Sequence, residues 1–194
     1  MTFADLLLLP LLLVTFSTLV ILISQNWKYS ILALALQYVG VFWLINGLWP
    51  LGLAVVKLVA GWMACAVLSA SQPAEDVREE QTSPTAPAFR ILAASLALAL
   101  VISVEPSVEV RIPVNRFILI GGLLLIGVGW LHLGMTTRPI RVIIGLLTAL
   151  SGFEILYAAV ETSILIAGLQ AAVTLGLALV GAYLIAAPTM EETP

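Results

Sequence analysis

Long charge-free apolar runs decide what this chain can fold into. From Leu6 to Ile23 there are 18 residues without a charge, and six further stretches come close to that. Crossing the ~30 Å hydrocarbon core of a bilayer takes roughly 20 apolar residues at ~1.5 Å rise. The chain as a whole is 61% hydrophobic and 10% charged, with a mean hydropathy of +1.13. Soluble domains hold about 45–50% apolar and 25% charged residues. The apolar residues also lack the periodicities of half-buried soluble elements. The sequence therefore predicts an all-α integral membrane protein of about seven transmembrane helices, with the lipid bilayer as its first partner.

The expected spans run from about Leu6 to Ile23, Ser30 to Trp49, Leu51 to Ser69, Phe89 to Val104, Phe117 to Leu133, Val142 to Val160 and Ser163 to Ala187. The first has no basic leader, carries Asp5 and lacks a clear cleavage site, so it reads as a helix kinked at Pro10 and not as a secretory signal. Residues 70–88 are rich in Pro, Ser, Thr and Glu and read as a flexible linker. Residues 1–69 then form one three-helix unit and 117–187 a second. Residues 89–116 supply a joining helix and an outer loop, and 188–194 a short tail. Within that loop Val108-Glu109-Val110-Arg111-Ile112 alternates apolar and charged residues, the pattern of a short extended piece.

With seven spans Lys28, Arg78, Arg90, Arg138 and Arg141 fall on one side, and Arg111 and Arg116 on the other. The positive-inside rule then puts the linker and the C-terminus in the cytoplasm, and the N-terminus outside a plasma (inner) membrane.

Several chemistries are excluded. The basic residues are scattered and the net charge is −3, so there is no footprint for nucleic acid. The lone Cys65 and lone His132 leave no disulfide, metal cluster or cofactor to expect. No nucleophile–base set or phosphate loop is present.

What remains is ionisable residues inside oil. Lys57 and Glu154 each interrupt an apolar run, at a cost of about 2.5–3.5 kcal/mol for a central Lys or Asp on insertion scales. Each lies six residues from the outer end of its predicted helix, about 9 Å deep by the helical rise. Equal depth suits a pair sharing one pocket on a proton path. The plainer alternative has Lys57 snorkelling to the headgroups and Glu154 as a structural anchor. Gln37, Asn46, Gln170 and Thr174 read first as interhelical ties, with Gln37 and Gln170 the secondary candidates for a pathway. His132, at the end of the fifth span, reads as a wet interfacial histidine. Gly168, Ala172 and Gly176, and separately Gly121, Gly122, Gly127 and Gly129, provide small-residue rows for close packing, either within the bundle or against a partner.

The turn Thr137-Arg-Pro-Ile-Arg-Val-Ile-Ile-Gly-Leu, the apolar helix after it and the closing Ala172-Val-Thr-Leu-Gly-Leu-Ala-Leu-Val resemble the small K subunit of respiratory complex I and its relatives in multisubunit cation/proton antiporters. Ala35-Leu-Gln-Tyr and Lys57-Leu-Val, with the whole-chain plan, resemble the E component of membrane-bound group-four hydrogenases. The resemblance implies that Gln37 and Lys57 match intramembrane polar residues of that component. The K-subunit carboxylate position holds Leu147 here, and Glu154 stands two turns on, near the same face. A second family glutamate falls near Ala172, between Gln170 and Thr174.

The resemblance implies a subunit without catalytic activity of its own, in a proton-translocating complex with antiporter-like partner subunits. A free-standing transporter of small molecules or ions and a structural or assembly protein are the rival readings.

Overall fold

The computed structural model describes residues 3–72, 86–111 and 114–187. Among them are seven helices and no strand: α1 (Phe3–Ile23), α2 (Trp27–Asn46), α3 (Leu51–Ala70), α4 (Ala86–Glu109), α5 (Arg116–Gly134), α6 (Pro139–Ala158) and α7 (Ile164–Ala186). The helices α2 to α7 are each long and apolar enough to cross a membrane. That is the make-up of a helical multi-pass membrane protein. The apolar stretch described for α1 is shorter, Leu7–Ile23. Most of the expected linker, 73–85, and the tail 188–194 lie outside the described residues.

Regular helix is the only open-ended solution in lipid, where each backbone N–H and C=O needs an internal partner. Local chemistry sets the ends. Asn26 and Asn115 cap α2 and α5 by accepting from the Lys28 and Phe117 amides, each at 3.0 Å. Pro139 opens α6, where its missing N–H costs nothing.

One expectation fails. Val108 and Glu109 belong to α4, which continues past Pro106, so they are helical where alternation predicted an extended piece. The reason is the buried stripe: Ala94, Val101 and Glu105 are buried on α4, with Ala97 and Leu98 packed beside them. Spacings of three and four residues outweigh a five-residue alternation.

Helices α1, α2 and α3 pack in sequence, as do α5, α6 and α7, and the two sets meet pairwise: α1 on α5, α2 on α6, α3 on α7. Helix α4 packs on α5 and α1. The pairs are parallel. Arg141, at the start of α6, donates to the Gln25 carbonyl just before α2 at 2.7 Å. At the opposite end Trp49 Nε1 donates to the Glu161 carbonyl at 3.0 Å, joining the α2–α3 turn to the α6–α7 turn. Between these ends lie two apolar clusters. One, around Leu44, Ile45, Trp49, Ile118 and Ile155, fills the Trp49 end. The other, around Leu34, Leu68, Ile144 and Leu147, lies toward the Lys28 end.

Glycine permits the closest contact. A Cβ on Gly152 would stand 2.5 Å from the Gly122 carbonyl, and one on Gly129 2.6 Å from the Ala149 amide nitrogen. The row on α5 is thus consumed inside the bundle. The row on α7 is not: Gly168 and Gly176 have nothing within 4 Å of a would-be Cβ.

Candidate functional site

Helical spacing carries Lys57 inward. Ala54, Lys57, Gly61, Ala64 and Leu68 form the buried stripe of α3, and their three- and four-residue steps admit no other orientation. Leu147, Ser151, Glu154 and Ala158 do the same on α6, and Ala167, Gln170, Thr174 and Ala178 on α7. Three stripes converge, each bringing a polar side chain.

Where they meet, the Lys57 ammonium donates to Glu154 Oε1 in an ion pair whose two side chains are each 2% exposed. Thr174 Oγ1 stands 3.4 Å from the same carboxylate oxygen and 3.0 Å from the Gln170 carbonyl on its own helix. The single hydroxyl proton serves the shorter contact first, and rotation makes it available to the carboxylate. The pair expected from equal depth is therefore present. Glu154 lies four residues from the end of α6 instead of six, because α6 stops at Ala158.

Elsewhere in the bundle buried polar atoms lack hydrogen-bond partners: both side-chain polar atoms of Gln170, one turn before Thr174 on α7, Gln37 Nε2 on α2 and Thr148 Oγ1 on α6. The buried Tyr38 hydroxyl lies near Glu154 and Ser151. Gln37 Oε1 lies 3.4 Å from the Thr18 hydroxyl. On α6, Ser151 and Thr148 are buried three and six residues before Glu154. At the Lys28 end His132 is buried with Nε2 unpartnered, near Arg141. Unsatisfied buried polar atoms are costly, and where space allows they bind internal water. Beyond the pair toward Trp49, by contrast, the packing is the apolar cluster that includes Ile45, Trp49, Ala54, Ile155 and Ala167.

Chemically, an ammonium and a carboxylate in contact exchange one proton with no change in net charge, becoming an amine and a carboxylic acid. The pair can accept a proton at the Glu154 carboxylate and give one up from the Lys57 ammonium.

Gln37, Lys57, Glu154, Gln170 and Thr174 thus occupy the buried interior, while Asn46 is exposed at the end of α2. His132 departs from the wet interfacial reading: it is 4% exposed, because Gly145 opposite has no side chain and the imidazole Cδ2 closes to 3.2 Å of where a Cβ would be. Sequence reading passed over Tyr38, Thr148 and Ser151. Glu105, which the sequence places in a loop, is buried on α4 and accepts from Arg116 at 3.2 Å. A signal was available for Glu105, which continues the α4 stripe one turn after Val101. Among the described residues no group of metal-binding side chains occurs, and Cys65 is a buried free thiol.

Compared with protein-family models, curated protein sequences and solved structures, the chain matches none.

Proposed function

We propose that this chain is a non-catalytic membrane subunit of a multisubunit proton-translocating complex, with the buried Lys57–Glu154 pair as a proton-handling station. The observation that carries the reading is that pair, enclosed at 2% exposure, in a bundle whose α2, α6 and α7 carry further buried polar atoms without partners. An ion pair in lipid is a functional hypothesis by default, because isolated charges there are expensive. Buried polar groups toward the Lys28 end and apolar packing toward the Trp49 end favour proton access from one side.

The proposed topology has seven spans, the N-terminus outside, and the Lys28 end and C-terminus cytoplasmic, in a plasma or inner membrane. Residues 1–69 and 117–187 act as the two three-helix units. The K-subunit and hydrogenase E-component resemblance supports the same role, with redox chemistry, if the complex performs any, in other subunits. The outward row of Gly168, Ala172 and Gly176 is suited to an antiporter-like neighbour helix.

The test is proton flux by the assembled complex carrying Glu154→Gln, and carrying Lys57→Met with Glu154→Gln to leave no buried charge unpaired. Flux should fall at least tenfold in both while assembly is retained. Wild-type flux from an assembled double variant removes the proton role. Tagged chain that purifies folded and alone from its native membrane removes the subunit role.

One observation favours a second reading. Helices α1–α3 and α5–α7 run through the bundle in the same directions, an orientation shared by the halves of parallel-repeat transporters. Selective solute uptake by the purified chain in liposomes would establish it.

A further inference from the structure

A groove of about 530 Å³ lies between α2 and α3 at the Lys28 end, outside the site described above. One wall follows Lys28, Leu32 and Ala35 along a single face of α2, and the other follows Ser69 and Ala66 back along α3. Small residues, Ala35, Cys65 and Ala66, line the groove and leave the space open. Trp27 and Lys28 stand at the mouth, with the ammonium 5.5 Å from the indole centroid. At the inner end Trp62 Nε1 reaches from α3 to the Ala35 carbonyl at 3.2 Å and bridges the two helices.

These limits select the occupant. From Lys28 to Ala35 is about 10 Å at the helical rise, which stays within one leaflet of roughly 15 Å, half the hydrocarbon core. A transmembrane helix would continue past the Trp62 bridge. A flexible apolar chain running parallel to the helices fits, and the size lies in the roughly 300–1,000 Å³ range of small-molecule sites. The mouth selects the head. Lys28 takes part in neither ion pair found among the described residues. The described charged side chains at this end, Lys28, Arg90, Arg138 and Arg141, are all basic. Tryptophan and lysine at one level mark the headgroup region.

We propose that this groove binds one phospholipid with an anionic headgroup, its phosphate on Lys28 between Trp27 and Ser69 and an acyl chain laid over Ala35 and Ala66 as far as Trp62. The site is independent of the proton reading and does not use the Lys57–Glu154 pair.

Native mass spectrometry of the full chain, released from mixed micelles of phosphatidylglycerol or of phosphatidylcholine, tests the assignment. The wild type should retain one phosphatidylglycerol about fivefold more than phosphatidylcholine, the weight of one lysine near an anionic headgroup. Lys28→Gln should abolish that preference. Ala66→Leu, which fills the groove, should reduce retention of both lipids, with helicity by circular dichroism unchanged in both variants. Equal retention of the two lipids by the wild type overturns the proposal, as does a preference that survives Lys28→Gln. Retention untouched by Ala66→Leu also overturns it, because the lipid then sits elsewhere.

Discussion

Lys57 and Glu154 set a sharp energetic constraint on one another. Removing one partner of a buried pair leaves the other charge uncompensated, at about 3–5 kcal/mol, whereas replacing both with apolar groups is often neutral or stabilising. Lys57→Met alone should therefore lower the unfolding free energy in detergent by that amount, and Lys57→Met with Glu154→Leu should recover most of it. A single substitution costing under ~1 kcal/mol would mean that neither charge depends on the other. The pair was legible in the sequence because a Lys and a Glu in apolar runs are rare, and equal depth could be counted from the turns. Ser151 was not, since a serine hydroxyl bonds within its own helix cheaply, here to the Leu147 carbonyl at 2.8 Å; Tyr38 and Thr148 were not, since a single tyrosine or threonine carries no charge and does not interrupt an apolar run. His132 was misjudged for a related reason: its burial depends on the absence of a side chain at Gly145, on another helix.

Among the elements, the glycine rows separate by what they face. Gly152→Ala drives a methyl against the Gly122 carbonyl and the Ile126 amide, and overpacking of this kind costs about 1–3 kcal/mol. Gly168→Ala and Gly176→Ala meet open space and should be neutral or stabilising by up to ~1 kcal/mol, through helix propensity. Urea or SDS unfolding midpoints of the three variants check this ordering. A midpoint for Gly152→Ala equal to wild type would show that α5 and α6 can separate without penalty. All seven helices were legible from apolar length alone, with ends shifted by a few residues where caps decided the boundary. The α4 end was not. Glu105, Pro106, Glu109 and Arg111 together look like a loop, and only the stripe through Ala94 and Val101 gives the helix away.

For the whole molecule, the parallel pairing puts corresponding residues side by side. Counting Leu51 and Ile164 as first, Lys57 and Gln170 are each the seventh residue of α3 and α7, so one scaffold position is charged in one half and neutral in the other. The polar groups also lie unevenly along the bundle, and water should follow them. A cysteine at Thr148, in a Cys65→Ala background, should react with a membrane-impermeant thiol reagent added at the Lys28 end and resist the same reagent at the Trp49 end. Equal reaction from both sides would show that the apolar cluster is no barrier. That barrier carries its own gauge. Because the Trp49 indole is buried and its N–H is held by the Glu161 carbonyl, its fluorescence should be blue-shifted and shielded from aqueous quenchers. Any step that opens the far end must first part these two turns, so in a variant whose other four tryptophans are replaced by phenylalanine a red shift of Trp49 would time that opening directly, with no label added.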